Sequence, residues 1–409
     1  MSKVVVLGGS GGIGSVATRA LVALEAFDEV VVADLRADEA ARVAASVGRD
    51  GGVRVSALAV DATSEASLAQ ALTGATVALN CVGPFYRFGP PILAAALRAR
   101  VDYVDVCDDL APTRQMLELD AVAKEAGVSA LIGMGNSPGL ANVFVRLCKD
   151  MLLEAVHEVD ILHIHGGEPE EGPAVVKHRI HAMVNDIPLF LDGKFVTVRQ
   201  LEPSGRAHVV ESDFRHVGRY PVYPYPHPET ITLPRFIPGL RRATNLGVIF
   251  PLSYFELTQQ MVRVGACVET PLRVGDAEVV PLDFSVAHIL RRRPELLREA
   301  GVTGPAGCLK VVVSGQKAGQ RQSYVLQLSS TSVGAGEGTG IPAAVGAAMM
   351  GRGKITAQGV FPPEAAVDPI EMMSLALSVS KKLGAGSSDS VLVESIDEAG
   401  ARKTLPLAF

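Results

Sequence analysis

The stretch Val4-Val5-Val6-Leu7-Gly8-Gly9-Ser10-Gly11-Gly12-Ile13-Gly14 decides the reading of this chain. Four apolar, mostly β-branched residues predict a buried strand. The glycine run follows at once, and an Ala/Leu-rich segment of helical period follows that. Gly9, Gly11 and Gly14 form G-x-G-x-x-G between strand and helix. The first glycine permits the tight turn, the second lets a pyrophosphate approach the backbone, and the third lets the helix pack against the sheet. The helix N-terminus then presents free N–H groups to phosphate. The loop residues Ser10, Gly12 and Ile13 belong to the same expected contact surface. Asp34 stands 20 residues after Gly14 at the end of the next strand, where a carboxylate accepts from ribose hydroxyls and repels a 2′-phosphate. Leu35 and Arg36 follow it, and Arg36 could instead receive such a phosphate. The pairing favours NAD and leaves NADP open.

Outward from this turn the pattern to about residue 135 alternates. Strands are expected at Val30–Ala33, Val53–Val60, Val77–Cys81, Tyr103–Val106 and Ala130–Ile132. Helices are expected at Ile13–Ala26, Asp38–Val47, Glu65–Leu72, Pro91–Arg98 and Pro112–Ala126. Such alternation predicts a doubly wound parallel sheet, an α/β architecture with ligands at the carboxyl ends of the strands. Two strand ends join the expected cofactor site: Asp61-Ala62 on the adenine side, and Asn80-Cys81-Val82-Gly83-Pro84 nearer the nicotinamide.

The rhythm changes after residue 136. A long strand at Val156–Ile164, a hairpin over Leu189–Val198 turning at Asp192-Gly193, and another around Lys317–Gln320 predict an α+β domain. Residues 199–242 carry seven prolines and read as a long irregular passage. Gly334, Gly336, Gly338 and Gly340 precede an apolar helix at Ile341–Met350 and read as a hinge-like return. The expected organisation is a dinucleotide domain over 1–135, a substrate domain over 136–337, and a segment over 338–409 returning to the first domain.

Composition sets the outer bounds. The 409 residues are 48% apolar and 20% charged, which excludes a disordered chain and suits two or three domains. A net charge of −6 argues against a nucleic-acid partner. Five scattered cysteines fit a reducing compartment rather than a disulfide framework. The absence of a long apolar run and of a signal-like N-terminus leads us to expect a cytoplasmic protein without a membrane span. Glycine is the outlier: 41 residues, against about 29 at average usage.

Five passages together resemble the saccharopine dehydrogenase-like oxidoreductases. They are Val4–Gly14 with Asp34, Asn80–Gly89, Tyr103–Asp108, Gly135–Asn142 and Gly351–Glu364. They span nearly the whole chain in order, and they specify a family rather than a substrate. The resemblance implies a Rossmann domain interrupted by an α+β substrate and dimerisation domain. It also implies transfer between a nicotinamide and a carbon bearing an amine or imine, and a homodimer. The saccharopine-acting members tend to carry Gly-Glu after the fifth strand, where this chain has Cys107-Asp108-Asp109.

Amine chemistry needs an acid/base near the nicotinamide and charges that fix the substrate. Tyr86, Asp108 and His227, in that order, are the acid/base candidates. Between residues 195 and 309 there are thirteen arginines and no lysine. Arg215, Arg219 and Arg235, with Tyr225, are the candidate contacts to a substrate carboxylate. His163-Ile-His165 with His178 and His181 lacks a completing Cys or carboxylate pattern, so no metal is expected. Cys81 and Cys107 read as buried inert thiols. The competing functions are a dinucleotide sensor without turnover and a carbonyl reductase.

Overall fold

The computed structural model describes residues 1–47, 52–331, 335–384 and 391–406. The first sheet contains β1 (Lys3–Leu7), β2 (Glu29–Asp34), β3 (Arg54–Ala59), β4 (Val77–Asn80), β5 (Asp102–Asp105) and β6 (Ser129–Leu131). A late strand, Gly359–Phe361, completes it, in the order β3-β2-β1-β4-β5-β6-Gly359–Phe361. All neighbours are parallel. Strand order reverses between β1 and β4, which places the topological switch point there. Val4, Val5, Val6 and Leu7 are at most 1% exposed. Such burial on both faces is why β1 reads as an unbroken apolar run.

The helices are α1 (Gly12–Leu24), α2 (Ala37–Val47), α3 (Glu65–Leu72), α4 (Phe85–Ala99), α5 (Leu110–Glu118), α6 (Asp120–Ala126) and α7 (Leu140–Leu147). Ser64 caps α3, its hydroxyl accepting from Ser67 N at 3.3 Å. Two helices differ from expectation. Helix α4 starts at Phe85 and carries Pro90 and Pro91 inside, whereas the sequence reading put proline at a helix start. The segment expected as one helix over Pro112–Ala126 is two, meeting at Leu119.

The second sheet has ten strands around β7 (Ala155–Gly166). It pairs parallel with Arg242–Phe250 and antiparallel with Ala306–Lys317. The expected hairpin turns are present, with Asp192 and Gly193 at φ 50° and 76° and Ala318 and Gly319 at φ 50° and 77°. Helix α8 (Pro173–Val184) follows β7. The proline-rich passage 199–242 is not irregular. It holds a helix turn at Pro203–Arg206, a hairpin of Val210–Phe214 with Gly218–Pro224, and a helix at Glu229–Phe236. Pro203 sits in a first helical turn, and Pro221 and Pro224 lie in a short hairpin strand at the sheet margin, positions where the missing N–H costs little.

The C-terminal segment divides. Ala335–Gly351 packs along α1 and Gly359–Phe361 pairs with β6, both on the first domain. Leu392–Ile396 and Arg402–Leu405 instead extend the second sheet beyond Gln320–Ser330. The second glycine cluster is also not a simple hinge. Gly336 and Gly340 lie within the helix, and a Cβ on Gly340 would come within 2.8 Å of Ile13 O. These glycines let the helix approach α1 closely. Gly334 lies outside the described residues.

Candidate active site

The turn after β1 closes against the turn after β4. Gly8 has φ +73°, and a Cβ there would come within 2.9 Å of Cys81 O. A Cβ on Gly14 would come within 2.1 Å of Gly8 O, so no other residue fits the helix start. Gly9 N donates to Ala33 O at 3.1 Å and Gly11 N to Gly8 O at 3.1 Å. Helix α1 has no side-chain cap and no acid in its first turn, and a Cβ on Gly12 would meet nothing within 4 Å. Free N–H groups facing open space fit a pyrophosphate.

Asp34 accepts from Ser10 N and from Arg36 N, each at 3.2 Å. Burial pushes its carboxyl upward, but hydrogen bonds from Ser10 and Arg36 and the Arg36 guanidinium outweigh that and hold it below the usual range. The Arg36 guanidinium lies 3.6 Å from the Asp34 carboxylate and donates to Ser10 Oγ at 3.4 Å. A ribose acceptor and a phosphate receptor therefore share one strand end. Leu35 between them is exposed.

The other strand ends play mixed parts. Asp61 closes its own turn, accepting from Thr63 N at 2.8 Å and Thr63 Oγ1 at 2.7 Å. The Asn80 side chain is fully buried and donates to Tyr103 OH at 2.9 Å while accepting from Val82 N at 2.9 Å. It therefore shapes the Val82–Pro84 turn from beneath, and its amide faces the protein interior rather than the cradle. Asp105 continues this network, accepting from Tyr103 OH at 2.9 Å, Cys107 N at 3.0 Å and Gly133 N at 2.7 Å. Burial raises its carboxyl to about 6. Cys81 and Cys107 are free thiols, and burial raises both, Cys81 to about 12.

Beyond the β5 end, the two domains bring polar groups together. Asp109 precedes α5, but its side chain makes no capping hydrogen bond. It accepts from the Tyr86 backbone and lies 3.8 Å from His178 Nδ1 on α8. Burial and the neighbouring Asp108 charge raise its carboxyl, with His178 opposing them. Tyr225 stands edge-on to His163 and His227, with ring centroids 5.4 and 5.1 Å apart, and lies 6.3 Å from His178. His163 and His227 stack at 5.3 Å. The His163 ring lies over Gly247, where a Cβ would come within 2.1 Å of it. Its Nε2 is 3.0 Å from Asn245 Oδ1.

Behind these rings sits Glu229, fully buried. It accepts a short hydrogen bond from Ser137 Oγ and one from Asn245 Nδ2 at 3.4 Å. Its other oxygen lies 3.7 Å from His227 Nδ1. Burial raises Glu229 to about 7, and burial lowers His163 to about 4 and His227 well below the ordinary imidazole range. With the imidazole held neutral, the His227–Glu229 contact is not an ion pair despite its distance.

The sequence candidates separate accordingly. Asp108, Tyr225 and His227 come together, and Tyr86 joins them through its backbone while its ring is 67% exposed. Arg219 and Arg235 do not. Arg219 is exposed and lies 3.6 Å from Glu211 on its own hairpin. Arg235 is exposed and stacks 5.5 Å over Phe236, and Arg215 N donates to Gln327 Oε1 at 3.2 Å. Proximity in sequence to the tyrosines misled that reading, because Arg219 turns to Glu211 on its own hairpin and Arg235 lies at the end of a helix against Phe236. The buried arginines among the described residues are Arg179 and Arg293; nothing in their sequence context marks them. His178, Glu229, Ser137 and Asn245 were missed too. The histidines expected to group as two pairs face separate partners, His165 with Glu168 at 3.7 Å and His181 with Glu269 at 3.3 Å. No cluster of metal-ligating side chains occurs among the described residues.

The fold and the glycine cradle define a dinucleotide-binding protein. Residues 4–131 match the family model described as the saccharopine dehydrogenase NADP binding domain. The chain is 27% identical over 393 residues to the carboxyaminopropylagmatine dehydrogenase of Synechocystis sp., covering 88% of this chain and 92% of that one. It is 25% identical over 300 residues to the carboxynorspermidine synthase of Vibrio alginolyticus, covering 67% of this chain and 70% of that one. Its fold matches the L-Glu-forming saccharopine dehydrogenase from Saccharomyces cerevisiae at a TM-score of 0.66 and 16% identity, covering 97% and 100% of the two chains. The chain is a nicotinamide-dependent oxidoreductase whose first domain matches the saccharopine dehydrogenase model and which is similar to these dehydrogenases over most of its length. The matched model's description names NADP, whereas Asp34 favoured NAD; Arg36 beside it gives the phosphate a place. No helix among the described residues is long and apolar enough to cross a membrane.

Proposed function

We propose that this enzyme interconverts an imine and the CH–NH group of a small amine that carries a carboxyl group, the imine forming from a carbonyl and an amine with loss of water and returning to them by hydrolysis, in the cleft between its two sheets. The relatives' names support the substrate class, since carboxyaminopropylagmatine and carboxynorspermidine each join a carboxyl group to an amine chain. The observation that carries the reading is the Asp109–His178 pair at 3.8 Å, formed across the two domains at the β5 end, beside the β4 turn.

The Gly9–Gly14 loop, Asp34 and Arg36, the Asp61-Ala62 end and the Cys81–Pro84 backbone would hold the dinucleotide. A bound nicotinamide supplies the two-electron exchange with the substrate carbon. The protein's own groups do the rest. Asp108 and Asp109 place negative charge where a cationic amine must dock. Asp109, with its carboxyl raised and an imidazole facing it, takes the amine proton or returns it. Tyr225 holds the His163 and His227 rings in place by edge contacts and lies against His178 at a tilt. His227 and the buried Glu229 form the dry wall behind, and the exposed Tyr86 ring stands at the rim. Five free thiols suit a cytoplasmic enzyme. Exposed Phe195 and Val196 on one hairpin offer a surface for a homodimer.

The test is cofactor consumption by the full chain with aldehyde-bearing amino acids and diamines, singly and in pairs. Consumption that requires both partners supports the reading. Consumption with a carbonyl alone makes the protein a carbonyl reductase instead.

A further inference from the structure

A second polar cluster lies on the far side of Tyr225, built on α8 one residue beyond His178. Arg179 and Arg293 are 3% and 6% exposed, and both guanidinium groups face the Tyr254 ring, at 5.1 and 5.7 Å from its centroid. Between them sits one carboxylate, that of Glu171. Its Oε1 accepts a short hydrogen bond from Arg179 Nη2, and its Oε2 accepts one from Tyr254 OH. Arg293 Nε lies 3.6 Å from the same Oε2. Arg293 Nη2 donates to Glu168 O at 2.6 Å, with the Glu168 carboxylate 3.9 Å away.

Three features set this apart from an ordinary structural ion pair. Arg179 Nη1 is buried without a hydrogen-bond partner, an expensive orphan that one more acceptor would satisfy. The carboxylate that fills the site comes from a short loop over 167–172 bounded by glycines, with Gly167 at φ +79°. The cluster also adjoins the active site: Arg179 lies close enough to Tyr225 to oppose the upward shift that burial and the Asp108 and Asp109 charges impose on it. Paired arginines and a tyrosine hydroxyl converging on one carboxylate are the donor set that an amino-acid carboxylate requires.

We propose that Arg179, Arg293 and Tyr254 form the substrate-carboxylate subsite, and that Glu171 is a built-in carboxylate which occupies it until substrate displaces the loop. The proposal rests on the amine reading above and extends it. It sets the polarity of the substrate, with nitrogen toward Asp109 and carboxylate toward Arg179. Displacement keeps the charge constant, since one carboxylate replaces another between the same two guanidinium groups. An amine chain without a carboxylate gains nothing by displacing Glu171.

The test is calorimetry on the full chain with 4-aminobutyrate and, as the matched chain lacking a carboxylate, butylamine. Glu171→Gln keeps an acceptor for Arg179 but removes the competing charge. It should bind 4-aminobutyrate at least about tenfold more tightly than wild type, a gain of about 1.4 kcal/mol, with butylamine unchanged. Adding Arg179→Lys, which keeps the charge but loses the fork, should erase that gain. Circular dichroism checks that each variant is folded, and Glu171→Asp, which shortens the reach of the loop carboxylate, gives a second route to the same gain. No gain in either Glu171 variant, or a gain that survives Arg179→Lys, overturns the proposal. Turnover measured in parallel separates the two readings. A binding gain without amine-dependent turnover keeps the subsite and sinks the function, and turnover without the gain does the reverse.

Discussion

The cofactor cradle and the substrate cleft are built by opposite means. The cradle is backbone: one continuous turn whose glycines work by the side chains they lack. The cleft is side chains, delivered by β7, α8, the Tyr225–Glu229 loop, the Ser137 turn and the strand Arg242–Phe250. A backbone device tolerates no added atom at its close-packed glycines, Gly8 and Gly14, and is built almost wholly from one continuous stretch. An assembled cluster tolerates conservative changes in shape but depends on two domains meeting.

The largest effect should come from breaking the cradle. Gly14→Ala forces a Cβ to within 2.1 Å of Gly8 O, so dinucleotide binding should be lost and thermal unfolding should shift down by several degrees or more. Gly12→Ala sharpens the same point, because its Cβ meets nothing within 4 Å. It should leave stability within about 0.5 kcal/mol while weakening dinucleotide binding, as calorimetry would show. Equal destabilisation by both variants would remove the distinction.

In the cleft, Asp109→Asn should lower kcat by about 10²–10⁴-fold and leave cofactor affinity unchanged. Because the Asp109 carboxyl is raised, amine oxidation by the wild type should fall off as pH drops through a value above the ordinary carboxylate range. The Asn variant should lose that limb, and an unchanged pH profile would move the acid/base elsewhere.

Glu229 and Glu364 extend the contrast to stability. Both are buried, and burial raises both to about 7. Their folded-state values lie above the unfolded ones, so their contribution is full below the unfolded carboxyl range and is lost as pH rises through about 7. Between pH about 4.5 and about 7, wild type should lose on the order of a few kcal/mol relative to the Glu229→Gln, Glu364→Gln double variant. Denaturant unfolding across that range should show a flatter profile for the variant. The smallest effect concerns cofactor choice: Arg36→Ala should cut NADPH affinity about tenfold and leave NADH nearly unchanged.

The same contrast explains what could be read from the chain. The parallel sheet and the glycine turn were legible because period and turn chemistry are local signals, as at Val4–Gly14 and Glu65–Leu72. The start of α4 was not, since Pro90 and Pro91 read as an entry rather than an interior. The passage 199–242 was misread because proline at a marginal strand and in a first helical turn looks like loop. Tyr225, Asp108 and His227 were singled out by their neighbourhood to strand ends and aromatics, and the fold brings them near one another. Arg179, His178 and Glu229 were not, because what distinguishes them is a partner far away in sequence, with Arg179 and Glu229 also buried. A buried arginine carries no mark until its partners are folded around it.

The central claim is that chemistry occurs at a carbon bonded to nitrogen. Its most direct test uses reduced cofactor deuterated at its reactive carbon, with mass spectrometry of the product formed from an aldehyde-bearing amino acid and a diamine. The account predicts one deuterium on the carbon joined to the new amine nitrogen. Deuterium in an alcohol product would contradict it, and so would an amine adduct formed without deuterium.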